Sequence, residues 1–332
     1  MTRAFICGLS GVALLPEEAD FLRDAAPWGV ILFKRNIGAR ADVRRLCDSV
    51  REALGRNAPV LVDQEGGRVQ RLCAPHWRAY PAAATFERAA ASLEEAEALA
   101  RLGARLIAHD LREVGITVDC LPVLDTAQEG AHDVIGARAY SRDPERVARL
   151  GRAAAEGLLS GGVLPVMKHI PGHGRAKADS HLELPIVDAS LAELEAVDFA
   201  PFAANRDLPL GMTAHVVFTA IDARAPATLS KTVVEQVIRG RIGFDGLLMT
   251  DDLSMKALSG DFRSRAERAI AAGCDLVLHC DGDLAEARAV AEGAPELAGA
   301  SLRRSEAALG QLDAIEDFNP VDGARAFELA LA

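Results

Sequence analysis

Aromatic residues are scarce in this 332-residue sequence, at 5% of the chain, and no apolar run approaches the roughly 20 residues that a membrane-spanning helix needs. Basic residues are outnumbered as well, because 37 lysines and arginines stand against 48 aspartates and glutamates, for a net charge of −11. Nucleic acids and anionic membranes attract basic surfaces, and single-stranded bases stack on aromatic rings. We therefore expect neither a nucleic-acid partner nor binding to a membrane.

Paired cysteine motifs are also absent from the sequence. The six cysteines are scattered without Cys-x-x-Cys spacing, so we expect reduced, buried thiols and no disulfide or metal framework. The start, MTRAFICGLSGVALLPEEAD, has some features of a signal peptide, but Arg3 is its one basic residue and Gly8 and Gly11 interrupt the apolar stretch. These features favour a first strand over a signal peptide.

Half of the residues are apolar, which is enough to bury a large core. Short apolar runs recur along the chain and predict strands over 4–9, 29–33, 60–63, 117–124, 164–168, 210–215, 247–251 and 275–279. Most of these runs are apolar at consecutive positions, which is typical of parallel strands that are buried on both faces. Helical patterns lie between them, for example over 93–114, after Asp143, after Ser190, after Ser230, over 284–292 and over 301–314.

The alternation of eight strands with helices predicts an α/β fold, a (β/α)8 TIM-like barrel. The alternative is a doubly wound open sheet, but no G-x-G-x-x-G follows the first strand and no Walker motif is present, which counts against the nucleotide-binding versions of that fold. Because no repeat or linker divides the chain, we expect one domain over residues 1–332.

Ionisable residues end or directly follow several predicted strands: Asp63, Asp125, Lys168, His169, His215 and Asp251. In a barrel the carboxyl ends of the strands share one face, and active sites are assembled there. A single aspartate at a strand end is common in turns. A whole set on one rim is harder to explain structurally, because each buried charge needs a partner.

The segment KHIPGHG at 168–174 leads from a buried strand into a loop that continues through Asp179 to His181. Its glycines permit an irregular backbone, and a loop that carries histidines and an aspartate suits closure over a substrate. His169 and His173 also have a spacing that metal ligands use. The intervening Pro and Gly disfavour a helix that would place both rings on one face.

Two further segments carry charge next to predicted strands. Alternation along the strand at 247–251 puts Asp251 on the face of the candidate site, whereas Asp252 is expected to cap the following helix or meet a cation. Asp63 can accept hydrogen bonds from hydroxyl groups, and Arg71 can pair with a carboxylate or an amide oxygen. On its own, the latter segment is explained more simply by a turn aspartate and a surface arginine, and Arg138 is a weaker candidate still.

Taken together, these segments resemble the bacterial β-N-acetylglucosaminidases of glycoside hydrolase family 3, especially the single-domain, cytosolic enzymes of peptidoglycan recycling. The resemblance extends over essentially the whole chain and is carried by DQEGGRVQR at 63–71, KHIPGHG at 168–174, DSH at 179–181 and TDDLSM at 250–255. The stretch Arg-Ala-Lys-Ala that follows Gly174 departs from the Asp-Thr of many relatives, so the resemblance assigns no role to Arg175 or Lys177.

The resemblance implies a role for each matching residue. Asp251 would be the nucleophile, and His181 would be the general acid/base, assisted by Asp179. The residues that would bind the terminal sugar are Asp63, Arg71, Arg138, Lys168 and His169. The implied substrate is a terminal β-linked N-acetylglucosamine on 1,6-anhydro-N-acetylmuramic acid, with or without a stem peptide. We expect no cofactor or metal, a cytoplasmic location and a monomer.

General chemistry is consistent with these roles and leaves alternatives open. Retaining glycosidases need a nucleophile and a proton donor on opposite sides of the scissile bond, and a nearby carboxylate favours the imidazolium form of a histidine. The alternatives are a β-glucosidase or a phosphorylase of the same family, a metal-dependent barrel hydrolase that uses His169 and His173, and a sugar-binding protein without activity.

Overall fold

Eight parallel strands form a closed barrel in the computed structural model, which describes residues 1–180, 182–313 and 315–331. In chain order the strands are β1 (Arg3–Gly8), β2 (Pro27–Leu32), β3 (Val60–Val62), β4 (Val118–Asp119), β5 (Leu164–Ile170), β6 (Leu210–Thr213), β7 (Leu247–Asp252) and β8 (Leu276–His279). Each strand pairs with the next one in the chain, and β8 closes the barrel against β1, with Val277 opposite Phe5. The predicted α/β barrel is confirmed.

Strand side chains alternate between two buried layers. One cluster has members from every strand and fills the inside of the barrel: Ala4, Ile6, Trp28, Ile31, Leu61, Val118, Leu164, Val166, Leu210, Met212, Leu247, Met249, Leu276 and Leu278. Intervening residues such as Phe5, Val30, Val62, Leu248 and Val277 belong to the second cluster, which lies between the barrel and the helices. Because both faces are buried, the strands are apolar at consecutive positions.

Helices surround the barrel between the strands. The α-helices are Pro16–Ala25, Arg40–Leu54, Ala84–Ala89, Leu93–Glu113, Pro144–Ser160, Leu191–Glu193, Ala200–Ala204, Phe262–Ala272, Leu284–Gly293, Gly299–Leu309 and Pro320–Leu331. Leu194–Asp198 and Val233–Arg241 are wider π-helical segments, and Lys34–Asn36, Gly136–Arg138 and Ala227–Leu229 are 3-10 turns. Among the described residues, no helix combines the length and the apolar character needed to cross a membrane.

Capping side chains fix several helix starts that the sequence indicates. The Asp143 carboxylate accepts the Glu145 N–H at 2.9 Å, and Ser92 caps Leu93–Glu113 in the same way by accepting the Glu95 N–H at 3.2 Å. The final helix, Pro320–Leu331, is not predicted by the sequence patterns. It is held by Phe327, which is buried against the rings of Phe86 and Tyr80.

Strand β4 is shorter than the predicted 117–124, and the reason bears on the site. Pro122 has no N–H to donate to a strand ladder, so regular pairing stops before it. The chain nevertheless continues beside β5, because Lys168 N–H donates to the Pro122 carbonyl at 3.0 Å and Leu124 N–H donates to the Lys168 carbonyl at 2.7 Å. This irregular extension brings Asp125 next to His169.

The helix predicted over 301–314 is also shorter than expected, at Gly299–Leu309.

Candidate active site

A pocket opens at the carboxyl ends of the barrel strands. Six of the predicted site residues line it together: Asp63, Arg71, Arg138, Lys168, His169 and Asp251. Its floor is the top of the apolar barrel interior, formed by Ile31, Met212 and Leu278, and its walls include Phe33, Val69, Val134, Ile135 and Met255. Polar groups on one side and apolar walls on the other are typical of a pocket for an amphipathic small molecule such as a sugar.

Asp63 and Lys168 form the centre of a charge network in this pocket. Lys168 Nζ donates to Asp63 Oδ1 at 2.8 Å, and Arg71 donates to Asp63 Oδ2 at 3.0 Å. The Arg71 guanidinium also lies over the Phe33 ring, 5.1 Å from its centroid. Arg71 is therefore held on two sides, by a carboxylate and by an aromatic face, and is not the free surface arginine that the segment alone suggests.

Glu65 completes the network, although it is not among the site residues predicted from the sequence. Arg138 makes two hydrogen bonds of 2.8 Å to its two carboxylate oxygens, and Lys168 Nζ lies 2.6 Å from Oε1. This bidentate geometry fixes the orientation of the Arg138 guanidinium. The sequence feature that could have indicated Glu65 is its position two residues after Asp63, because in an extended segment this spacing puts both carboxylates on the same side.

The network keeps its members charged although they are buried. Burial alone would raise the pKa of Asp63, but Lys168 and Arg71 hold it well below its ordinary value. Burial would similarly lower the pKa of Lys168, but Asp63 and Glu65 raise it above its ordinary value. The site therefore presents fixed acceptors and donors, which can exchange their mutual contacts for the hydroxyl groups of a bound sugar.

Asp119, at the end of β4, supports this network from below. Its Oδ1 accepts the Gln64 N–H at 2.9 Å and so fixes the segment between Asp63 and Glu65. Burial raises the pKa of the Asp119 carboxyl well above its ordinary value, since the side chain is fully enclosed. In the sequence, Asp119 could have been noticed as a charged residue within the otherwise apolar predicted strand 117–124.

Asp125 orients the two histidines of the KHIPGHG segment. Its Oδ2 lies 2.6 Å from His169 Nδ1, and its Oδ1 accepts the backbone N–H of His173 at 2.6 Å. Because a carboxylate accepts, the His169 proton lies on Nδ1, and Nε2 is the nitrogen left for a ligand. Burial lowers the pKa of His173 to about 4, so this ring is neutral at physiological pH.

Asp251 and Asp252 separate as strand alternation predicts. Asp251 continues the inner face of β7 beyond Leu247 and Met249 and lines the pocket. Asp252 also lines the pocket, but its Oδ1 accepts the backbone N–H groups of Ser254 and Cys280, each at 3.0 Å, and so fixes the turn after β7. The expected helix cap is not found, because the following helix, Phe262–Ala272, is capped by Asp261.

The Asp251 carboxylate is buried and held in one orientation. Its Oδ1 accepts the Asp252 N–H at 2.8 Å, and 7% of the residue is exposed. Burial alone would raise its pKa, but His169, His215 and the Asp252 N–H hold it below its ordinary value. A buried carboxylate that stays ionised in a pocket is suited to act as a nucleophile or to stabilise positive charge.

His215 lies behind Asp251 in a network of hydroxyl groups. Its Nε2 lies 2.9 Å from the Asp252 carbonyl oxygen, so the proton lies on this nitrogen. Its Nδ1 lies 2.7 Å from the Thr228 hydroxyl, which is also 2.7 Å from the Thr213 hydroxyl. Burial lowers the pKa of His215. The ring thus links the Asp252 carbonyl, at the end of β7, to Thr228, which also contacts Thr213 at the end of β6.

The loop that carries Asp179 is docked at its far end. Ser180 lines the pocket, its hydroxyl lies 3.3 Å from His173 Nε2, and its carbonyl accepts the Ala257 N–H at 3.3 Å. The Asp179 carbonyl accepts the N–H groups of Leu182 and Glu183. His181, the predicted acid/base, lies outside the described residues.

The histidine pair is not arranged as a chelate. The His169 and His173 rings meet edge to face with centroids 5.7 Å apart, and both have protein partners. Within residues 1–180, 182–313 and 315–331, no three His, Cys, Asp or Glu side chains are grouped so that they could hold a metal ion.

Comparison with known proteins identifies the family. Residues 9–305 match the glycosyl hydrolase family 3 N terminal domain. The chain belongs to this family. A beta-hexosaminidase of Bordetella avium is 39% identical over 284 residues, which are 84% of this chain and 81% of that protein. One from Methylococcus capsulatus is 41% identical over 277 residues, 82% and 81% of the two chains.

A solved structure of this glycosyl hydrolase family agrees with the barrel throughout its length. NagZ from Neisseria gonorrhoeae, crystallised in complex with N-trifluoroacetyl-D-glucosamine, superposes with a TM-score of 0.85 at 31% identity and covers 99% of this chain and 96% of that chain. The relatives confirm the family resemblance seen in the sequence and the expected enzyme class, a glycoside hydrolase of the β-N-acetylhexosaminidase type.

Proposed function

We propose that this chain is a retaining exo-β-N-acetylglucosaminidase that removes terminal N-acetylglucosamine from peptidoglycan fragments. The observation that carries the proposal is Asp251, a buried and ionised carboxylate on the inner face of β7, in a pocket lined by sugar-binding donors and acceptors. The comparisons support it at the level of enzyme class, since the curated relatives are beta-hexosaminidases.

In this proposal Asp251 attacks the anomeric carbon and forms a covalent glycosyl intermediate. The carboxylate needs to be ionised and held in a fixed orientation, and the Asp252 N–H fixes one of its oxygens. His169 helps to hold the pKa of this carboxylate below its ordinary value. Displacement by a carboxylate followed by displacement by water retains the β-configuration.

The terminal sugar would be held by the Asp63 network. The Asp63 carboxylate accepts hydrogen bonds from sugar hydroxyl groups, while Lys168 and Arg71 keep it ionised and donate to the hydroxyl oxygens. Arg138 and His169 Nε2 offer further polar contacts, and the apolar walls suit the methyl group of an acetamido substituent.

The leaving oxygen would receive its proton from His181, assisted by Asp179. A carboxylate next to an imidazole favours the imidazolium, which donates a proton in the first step and takes one from water in the second. The docked Ser180, which lies between the two, lines the pocket. We also propose a cytoplasmic monomer that needs no cofactor, as in the recycling enzymes whose motifs it resembles.

Hydrolysis is favoured over phosphorolysis by the charges in the pocket. Among the described residues, the lysine and the arginines that line the pocket each pair with a carboxylate: Lys168 and Arg71 with Asp63, and Arg138 with Glu65. Binding a phosphate dianion would require breaking these pairs. We expect free N-acetylglucosamine as the product in the presence of millimolar phosphate, whereas a sugar 1-phosphate would identify a phosphorylase.

The proposal is tested with nitrophenyl β-N-acetylglucosaminide and the wild-type, Asp251→Ala, Asp251→Asn and His181→Ala proteins. Both changes at Asp251 should lower kcat/KM at least about a hundredfold, the usual scale for the loss of a catalytic group. Asp207→Ala, at an exposed surface ion pair, is the control and should leave the rate unchanged. Near-normal turnover by Asp251→Ala would refute the proposal, and faster cleavage of the matched β-glucoside would indicate a β-glucosidase.

A further inference from the structure

Arg175 forms a buried ion pair that the proposed reaction does not use. Its Nε donates to Asp198 Oδ2 at 2.6 Å, and the two side chains are 22% and 2% exposed. Asp198 ends the π-helical segment Leu194–Asp198. Neither side chain is among the described residues that line the pocket. A charge pair this buried is costly unless its partners are well matched, so its position in the loop that carries Asp179 requires an explanation.

The pair lies where three segments are packed against one another. Gly172 is so close to Asp198 that an added Cβ would lie 3.0 Å from the Asp198 Cβ, and an added Cβ on Gly174 would lie 2.0 Å from the Thr126 carbonyl oxygen. The Thr126 hydroxyl donates to the Val197 carbonyl at 3.3 Å, so the segment after β4 also contacts the π-helical segment. Thr126 follows Asp125, the residue that orients His169.

Backbone hydrogen bonds fix the same part of the loop. His132 N–H donates to the Ala176 carbonyl at 2.8 Å, Ala176 N–H donates to the His173 carbonyl at 3.1 Å, and Gln128 N–H donates to the Gly174 carbonyl at 3.3 Å. Residues 172–176 are therefore anchored on both sides. Asp179 follows three residues later, so the direction in which the chain leaves this anchor determines where Asp179 can lie.

We propose that Arg175 and Asp198 are positioning residues for the reaction, which hold the start of the loop so that the proton-transfer residues reach the leaving oxygen. The inference rests on the proposed function. Small errors in the placement of a proton donor cost rate without a comparable loss of binding.

The test compares two substrates that differ in their need for protonation. The disaccharide of N-acetylglucosamine and anhydro-N-acetylmuramic acid has a poor leaving group, which needs a proton donor. In a dinitrophenyl β-N-acetylglucosaminide the leaving group is dinitrophenolate, which departs without one. For Arg175→Met we expect kcat/KM to fall about tenfold or more on the disaccharide and less than about threefold on the aryl substrate. Inhibition by N-acetylglucosamine should be unchanged, because the sugar-binding residues are untouched.

Three further variants make the result specific. Arg175→Lys keeps the charge and should recover part of the disaccharide rate. Asp198→Asn should reproduce the effect of Arg175→Met, and the double variant should lose no more than either single one, as expected for residues that act through one contact. Assays at about pH 7.5 keep Asp198 ionised, since its burial raises the pKa to about 6.

The matched control is Arg239→Met. Arg239 donates to Asp275 at 2.7 Å, with side-chain exposures of 17% and 2%, but Asp275 precedes β8 at the opposite end of the barrel. This change should lower stability while leaving the ratio of the two rates unchanged. An equal fall on both substrates, or no fall on either, for Arg175→Met would overturn the inference. Failure of the wild-type protein to cleave either substrate would instead refute the proposed function.

Discussion

Asp125 Oδ2 lies 2.6 Å from His169 Nδ1, and this contact defines which nitrogen of the histidine is available in the pocket. The same carboxylate accepts the His173 N–H through its other oxygen. One buried aspartate therefore fixes a predicted sugar-binding ring and the start of the loop that carries Asp179. Its position depends on the irregular chain after β4, which Pro122 prevents from forming a regular strand.

Asp125→Asn should impair sugar binding more than it impairs folding. The amide keeps the shape but can turn its NH2 towards His169, which would place the ring proton on Nε2 and present the wrong group to the sugar. We expect KM to rise about tenfold, with a similar loss of inhibition by N-acetylglucosamine. Steady-state kinetics and calorimetric titration check this. An unchanged KM would show that His169 does not contact the sugar.

Lys168→Met should destabilise the protein strongly. Lys168 is 2% exposed and lies between Asp63 and Glu65, so its removal leaves two buried carboxylates without their shared cation. Loss of one partner from a buried ion pair typically costs about 3–5 kcal/mol. Urea unfolding measures the change, and Lys256→Met, at an exposed lysine, is the control. A loss as small as that of the control would contradict the described network.

His173→Gln should reduce the sensitivity of the protein to mild acid. The pKa of His173 is lowered to about 4 by burial, against about 6.5 in the unfolded chain. Between these values the unfolded chain takes up a proton that the folded protein refuses, so stability falls as the pH drops from about 6.5 to about 4, by up to about 3 kcal/mol.

The glutamine variant cannot take up this proton, and its stability should therefore depend less on pH in that window. Free energies of unfolding in urea at several pH values give the difference between the two proteins. Asp198, whose pKa is raised to about 6 by burial, contributes the opposite slope to both proteins and cancels. Parallel curves for the two proteins would mean that His173 is protonated in the folded state.

The sequence predicts much of this architecture because buried parallel strands and strand-end charges both have local signals. All eight strands lie where consecutive apolar residues predict them, and Asp251 faces inward as alternation requires. The helix Pro320–Leu331 was not predicted, because its one buried aromatic side chain, Phe327, packs against residues far away in the chain. Tertiary contacts, and not its own pattern, hold it in place.

The residues with which the site residues pair could not be predicted from the sequence either. Asp63 and Lys168 could be selected one by one, but nothing local shows that Glu65 bridges Lys168 and Arg138, or that Arg175 reaches Asp198. These contacts join segments that lie far apart in the chain and meet because the barrel closes. Local patterns indicate which residues reach the rim, whereas closure determines which of them pair.

The proposed bond between Asp251 and the sugar can be detected by a trapping experiment. The wild-type protein is incubated with a fluorinated N-acetylglucosaminyl fluoride, which slows hydrolysis of the intermediate, and the labelled peptide is sequenced by mass spectrometry. We expect the label on Asp251 and, in parallel, a first product of β-configuration by NMR spectroscopy. A label on a different side chain, or a first product of α-configuration, would contradict the account.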